Sequence, residues 1–205
     1  AIGYKALEAR CKEKKDSKVK AHVVEHESYR YWDHWLSDGR VPRLFVVDVR
    51  TQRITDLFAG TPYELPRADP AAYHYDISPD GHEVAFTFDP AEEKRFDHEH
   101  HIVALDLREK RFRTLTKGSR LDHESPAYSP DGKSIAILTR NLRRSSLAET
   151  RIALFDRRRA RLVALPATWD RSVHAPVAWS GDSSSVLFLA EDRAALRAAG
   201  LAVSF

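Results

Sequence analysis

Hydrophobic residues alternate with turn-forming polar residues along most of the chain, and one arrangement of them occurs three times. The copies are residues 76–86 (DISPDGHEVAF), 127–137 (AYSPDGKSIAI) and 178–188 (AWSGDSSSVLF). Asp80, Asp131 and Asp182 hold the same place in each copy and are 51 residues apart. Proline presets φ and Asp-Gly accepts the positive φ of a tight turn. Each copy therefore predicts two strands joined by a tight turn.

A second pattern lies between the copies, where an apolar run ends in aspartate. It occurs at residues 44–48, 102–106 and 152–156 and predicts fully buried strands, each followed by a turn that the aspartate begins. A further strand is predicted at residues 53–57 and 112–116. Four short strands in roughly 50 residues are typical of a blade of a β-propeller. The predicted fold class is therefore all-β.

The blade count predicts a partial β-propeller with two complete and two partial blades. We expect a single incomplete domain over residues 1–205, with approximate blades at 1–60 (partial), 61–118, 119–168 and 169–205 (partial). Residues 193–200 replace the buried strand expected after residues 186–190, and the first unit lacks a Ser-Pro-Asp-Gly turn. Open blades leave strand edges that could pair with a second copy. We therefore expect an internal piece of a larger protein or a chain that needs a partner.

Composition and charge refine this picture only slightly. The chain is 42% hydrophobic and 31% charged, as in soluble globular proteins, and no apolar run is long enough for a membrane span. Cys11 is the sole cysteine, so no internal disulfide is expected. Residues 6–15 predict one short amphipathic helix. Basic residues cluster at 5–20 and 140–161, but stacking aromatics are not interleaved with them, so we expect solvated charge and no nucleic-acid partner.

Residues 29–35 (YRYWDHW), the Asp-Gly-Arg at 38–40 and the blade pattern resemble the propeller of prolyl oligopeptidase-family serine peptidases. The likeness is to bacterial dipeptidyl and acylaminoacyl peptidase-like members and extends from about residue 18 to residue 193. It implies a propeller that covers an α/β-hydrolase domain and admits short peptide substrates. The residues do not decide the compartment, which stays open between the bacterial cytoplasm and the periplasm. The Ser-Pro-Asp-Gly blades are shared with TolB-like and WD40-like propellers. The alternative function is therefore a protein-interaction platform.

The chain itself lacks a plausible nucleophile for peptide hydrolysis. A nucleophile elbow has the form Gly-x-Ser-x-Gly, and residues 181–185 (GDSSS) fail at the last glycine. Ser183 moreover stands where Gly81 and Gly132 stand in the other two copies, which indicates a turn. We expect no catalytic residue here, and the Ser-Asp-His triad would belong to the hydrolase domain.

The first candidates for a functional surface are Trp32, Asp33, His34 and Trp35. Bulky aromatic residues beside charges are typical of domain interfaces and of the walls of ligand cavities. We predict that they line a substrate channel or contact another domain. Alternatively, the two tryptophans fill space between blades.

Glu92 and Glu93 are the second candidates, because dipeptidyl members of the resembled family hold a substrate's free amine with paired carboxylates. The pair stands elsewhere in the blade here, so an exposed acidic loop is the favoured interpretation. Residues 97–101 (DHEHH) contain imidazoles and carboxylates, which are zinc ligands, and strand alternation places His98 and His100 on one face. A solvated loop is the simpler interpretation. No metal and no cofactor are predicted.

Overall fold

The computed structural model describes residues 4–19, 30–32, 34–36, 40–92, 94, 98–116, 120–143, 148–165, 170–192 and 195–203. A helix, α1 (Tyr4–Asp16), comes first, as the sequence predicts, and a small hairpin of β1 (Arg30–Tyr31) and β2 (His34–Trp35) follows it. Among the described residues, no helix is both long and apolar enough to cross a membrane.

The rest of the described chain forms antiparallel sheets that follow one another in sequence, which confirms the all-β partial propeller. Blade 1 pairs β3 (Phe45–Val47) with β4 (Ile54–Asp56). A short 3₁₀ helix (Ala72–His74) leads into blade 2, whose strands are β5 (Tyr75–Ile77), β6 (Glu83–Phe88), β7 (His101–Asp106) and β8 (Arg111–Thr114).

Blades 3 and 4 repeat this order of strands. Blade 3 contains β9 (Leu121–Tyr128), β10 (Ser134–Asn141), β11 (Thr150–Asp156) and β12 (Arg161–Ala164). Blade 4 contains β13 (Val173–Trp179), β14 (Ser185–Asp192) and β15 (Ala195–Ala202). Neighbouring strands along the chain are neighbours in each sheet, so the first and last strands of a blade are its edges.

The core lies between successive blades rather than inside one of them. Leu44 and Phe58 pack with Phe86 between blades 1 and 2, and Ile102 packs with Ile135 between blades 2 and 3. A third cluster joins Leu138 and Leu154 of blade 3 to Val186 and Phe188 of blade 4. Successive sheets thus bury their facing sides against one another, as propeller blades do.

The tight turn of the three sequence copies has one hydrogen-bond pattern. In each turn the serine hydroxyl donates to the aspartate two residues later, at 2.6 Å in Ser78–Asp80, 2.7 Å in Ser129–Asp131 and 2.6 Å in Ser180–Asp182. The following position has positive φ: 70° at Gly81, 68° at Gly132 and 62° at Ser183. The prediction that Ser183 is a turn residue is therefore confirmed.

Of the three strands predicted to be fully buried, two are buried and the third is a strand but is exposed. Residues 102–105 and 152–155 are buried, whereas all three residues of β3 are exposed. Within the described part of the chain, β3 pairs with β4 alone, whereas β7 and β11 lie between two strands and pack against a neighbouring blade on each face.

The prediction for residues 193–200 is also corrected, because β15 pairs with the full length of β14 from Asp192↔Ala195 to Ser185↔Ala202. Its sequence is rich in alanine and weak in strand propensity. The unpaired main-chain groups along the edge of β14 provide the partners that hold it. Most of its residues stay exposed, unlike those of the equivalent strands β7 and β11.

Candidate functional site

The tryptophan segment lies at the surface, at the β1–β2 hairpin. Trp32 is 80% exposed, has a φ of 51° and is the residue that follows β1. Its carbonyl accepts a hydrogen bond from Arg30 Nε at 2.6 Å, and the Arg30 guanidinium lies 5.6 Å from the centre of the Trp35 ring. Trp32 therefore does not fill space between blades. Its side chain is available to a partner or ligand.

The remaining members of that segment are only partly described. Trp35 is half-buried, and His34 forms part of β2 through its main chain. Asp33 lies outside the described residues. The prediction that these residues line a channel or an interface stays a prediction.

Glu92 does not lie in an exposed acidic loop, so this interpretation is wrong for it. Its side chain is only 3% exposed, and its Oε1 accepts a hydrogen bond from the Arg67 amide at 3.1 Å. Asp89 and Pro90 directly follow the strand β6, and Asp89 Oδ1 accepts a hydrogen bond from the Ala91 amide at 2.8 Å. After this turn, Glu92 Oε2 lies 3.8 Å from His98 Nδ1, near the other end of the loop. Glu93 lies outside the described residues.

The same loop brings four potential metal ligands together: Asp89, Glu92, His98 and His100. One ligand atom from each lies within 4.8 Å of the others. Asp89 is fully buried as a side chain, and its Oδ2 lies 3.4 Å from His98 Nδ1 and accepts the Glu99 amide at 3.1 Å. Glu92 Oε2 lies 3.8 Å from the same His98 nitrogen.

His98 and His100 share a face, as strand alternation predicts. Their rings are stacked with centres 5.6 Å apart and an angle of 27° between the planes. The solvated-loop interpretation is wrong for His100, which is buried, whereas the His98 side chain is 25% exposed. The sequence pattern does not identify Asp89 as a member of this group. The one signal for it in the sequence is the Asp-Pro pair after an apolar strand, which favours a turn.

Asp122 fixes the orientation of His100 from the first strand of blade 3. Its Oδ1 lies 2.8 Å from His100 Nδ1 and accepts the His100 amide at 2.9 Å, and its Oδ2 accepts Arg140 Nη2 at 2.7 Å. Burial would raise the pKa of Asp122, but its contacts with His100 and Arg140 hold that pKa below the usual value. Burial would likewise lower the pKa of His100, and Asp122 raises it above the usual value.

Further ionisable groups are buried around this pair. His74 and His123 are almost inaccessible, and burial lowers the pKa of each to about 4. Burial also raises the pKa of Glu124, to which Asp122 adds a like charge. The region between blades 2 and 3 thus holds two histidines that burial keeps neutral, His74 and His123, beside the hydrogen-bonded His100–Asp122 pair.

The opposite end of the blades carries an open, basic cavity of about 760 Å³. Arg113, Lys133 and residues 157–159 line it, together with turn aspartates. Arg157 donates to Glu83 Oε1 at 3.0 Å, and its guanidinium lies 5.2 Å from the centre of the Tyr128 ring. This arginine therefore joins blades 2 and 3, whereas Arg158 beside it is exposed.

The chain is similar in sequence to the dipeptidyl-peptidase 5 of Porphyromonas gingivalis. The two are 25% identical over 183 residues, which are 84% of this chain and 26% of the peptidase. The chain thus spans about a quarter of the length of this curated relative. No family model matches the sequence.

Solved propeller structures resemble the fold. TolB from Acinetobacter baumannii matches with a TM-score of 0.56 and 17% identity, over 81% of this chain and 36% of TolB. The tricorn protease matches with a TM-score of 0.52 and 16% identity, over 77% of this chain and 14% of the protease. At these identities the likeness concerns the fold alone.

Proposed function

From its resemblance to the propeller of prolyl oligopeptidase-family serine peptidases, we propose that this chain is the non-catalytic propeller portion of such an enzyme. It would limit access of short peptides to an α/β-hydrolase domain that carries the Ser-Asp-His triad. The observation that carries the proposal is the alignment with a dipeptidyl-peptidase across 183 residues, a stretch that takes in most of the blades.

The blade geometry supports a gating role. The first strands of successive blades contact one another, β5 with β9 and β9 with β13, so they form the inner wall of the arc. In a closed propeller the inner strands surround a central channel. The width of that channel would then limit the size of the peptides that reach the hydrolase domain.

The first test concerns catalysis. A serine-directed fluorophosphonate probe should leave the 205-residue chain unlabelled, because Ser183, in the partial Gly-x-Ser match, is a turn residue with its hydroxyl 3.1 Å from the Asp131 amide. Labelling of the chain would overturn the non-catalytic assignment. The coding region should continue into a Gly-x-Ser-x-Gly segment followed by Asp and His. Absence of that segment would favour the interaction platform instead.

The second test concerns gating in the longer protein that the proposal predicts. There, kcat/KM should fall as the substrate grows, from a dipeptidyl chromogenic substrate to an octapeptide to a folded protein that carries the same octapeptide in a surface loop, because a narrow channel admits only short peptides. Equal cleavage of all three substrates would contradict the gate without touching the catalytic assignment.

A further inference from the structure

We propose that Asp89, Glu92, His98 and His100 form a binding site for Zn²⁺ in the loop between β6 and β7. The inference does not depend on the proposed peptidase function. Two imidazoles and two carboxylates are a donor set that suits Zn²⁺ better than Ca²⁺ or Mg²⁺, which prefer oxygen ligands alone.

The spacing of the donors fits a four-coordinate ion. A tetrahedron with metal–ligand bonds of about 2.1 Å has edges of about 3.4 Å. His98 Nδ1 lies 3.4 Å from Asp89 Oδ2 and 3.8 Å from Glu92 Oε2. Both distances are longer than an N–H···O hydrogen bond of about 2.9 Å and close to a tetrahedral edge. Small side-chain rotations would close the full set, whose ligand atoms already lie within 4.8 Å of one another.

The His98 nitrogen that faces the carboxylates supplies the second observation. Its Nδ1 is buried and has no hydrogen-bond partner among the described residues. A buried nitrogen without a partner costs free energy unless it binds something. The side chains of Asp89 and Glu92 beside it are 0% and 3% exposed. A divalent cation would satisfy the nitrogen and offset two buried negative charges at once.

His100 has the outer contacts of a metal-bound histidine. Histidines that bind metal donate their second ring N–H to a carboxylate or carbonyl, which fixes the tautomer and the ring orientation. His100 Nδ1 lies 2.8 Å from Asp122 Oδ1, and Arg140 holds the other oxygen of that carboxylate at 2.7 Å. Proton donation from Nδ1 leaves Nε2 with a free lone pair for the ion.

The surroundings give the ion both a route and a structural role. A cavity of about 190 Å³ borders Asp89 and Glu92 and is open to solvent. Bound Zn²⁺ would join the start of the β6–β7 loop to its end. Through His100 and Asp122, it would also tie this loop to β9 of blade 3. The expected consequence is a stiffer junction between blades 2 and 3.

The test is a calorimetric titration of chelator-treated protein with ZnCl₂, with CaCl₂ as the comparison ion. We expect one Zn²⁺ per chain, a higher Tm with Zn²⁺ than without it, and no comparable effect of Ca²⁺. Substitution of Co²⁺ should give the intense visible absorption of a tetrahedral site. His98→Gln and Glu92→Gln should each weaken Zn²⁺ binding at least tenfold, and Asp122→Asn should weaken it by about 10- to 100-fold.

His174→Gln is the matched control, because His174 also faces a carboxylate, Glu191 at 3.4 Å, but lies in blade 4. It should bind Zn²⁺ as the unchanged protein does. Circular dichroism of each variant checks the fold, and the partial exposure of His98 makes His98→Gln the safest of them. Absence of stoichiometric binding would overturn the proposal. So would equal binding by His98→Gln, Glu92→Gln and the unchanged protein.

Discussion

The two ends of the blades use aspartate in opposite ways. At the turn end, Asp80, Asp131 and Asp182 accept hydrogen bonds from the serine hydroxyl and main chain of their own turn. At the loop end, Asp89 and Asp122 are buried and contact groups 10 and 22 residues away. The turn arrangement occurs three times, whereas the loop arrangement occurs once in the described chain.

The turns are a structural element that every blade with this sequence pattern repeats, whereas among the described residues the loop-end cluster occurs at one junction, between blades 2 and 3. A turn that satisfies itself locally can be repeated wherever two strands meet. The buried cluster combines residues from two blades, so it forms only when those blades have packed against each other. We therefore expect specific chemistry at the loop end, and matched substitutions at the two ends test that division.

The largest effect is expected at Asp122, the centre of the loop-end network. Asp122→Ala removes the acceptor of the His100 ring, the His100 amide and Arg140, which leaves buried donors without a partner. We expect a loss of about 3 kcal/mol in the free energy of unfolding. Urea denaturation in the presence of a chelator measures this loss without any contribution from bound metal.

Asp131→Ala is the matched change at the turn end and should cost about 1 kcal/mol, since it removes one hydroxyl contact, one amide contact and an exposed ion pair with Lys133. If the two alanine variants lose the same stability, the division between the ends is wrong. The loss of stability in Asp122→Asn should lie between those of the two alanine variants, because asparagine keeps a hydrogen-bond acceptor but not the negative charge.

The second prediction looks for an exception at the turn end. Arg157 has no arginine counterpart in blade 2, where Leu107 takes its place in the turn. Arg157→Met keeps the aliphatic stem but removes the bond to Glu83 and the contact with the Tyr128 ring. We expect a loss of roughly 2 kcal/mol by urea denaturation. Arg158→Met, an exposed neighbour, should change stability by less than about 0.5 kcal/mol.

The division between the ends also explains what the sequence could predict. The turns and the buried strands β7 and β11 follow from short patterns that repeat, because their hydrogen bonds and alternation are local. Strand β15 could not be predicted in this way. Its alanine-rich sequence has little strand propensity of its own, and it forms a strand because it pairs with the edge of β14.

The loop-end site is predictable only in part. Alternation places His98 and His100 on one face, and their stacked rings agree. The burial of Glu92 and the approach of Asp89 depend on how the Asp-Pro turn folds the loop back, which spacing does not specify. Asp122 comes from the next blade, so its contact with His100 needs the blade packing to exist first.

The third prediction concerns backbone conformation at the turn end. Gly81 has a φ of +70°, and a Cβ added to it would meet nothing within 4 Å, so Gly81→Ala is strained by the backbone alone. We expect a loss of about 1 kcal/mol. Gly181→Ala adds the same methyl group in the third turn, also into open space and without a positive φ. It should be neutral or slightly stabilising, and an equal loss in both would contradict the φ argument.

The smallest effect is expected from pH at the turn end. The hydroxyl of Ser180 and the Ser184 amide lower the pKa of Asp182 to about 2, from a usual value of 3.8. Because the folded-state pKa is the lower one, this stabilisation is fully present above about pH 4 and is lost as the pH falls towards about 2. Asp182→Asn should therefore be less stable than the unchanged protein at about pH 5, and the difference should shrink by about pH 3. Urea midpoints at the two pH values measure it, and a constant difference would show that the ionised carboxylate contributes nothing to this turn.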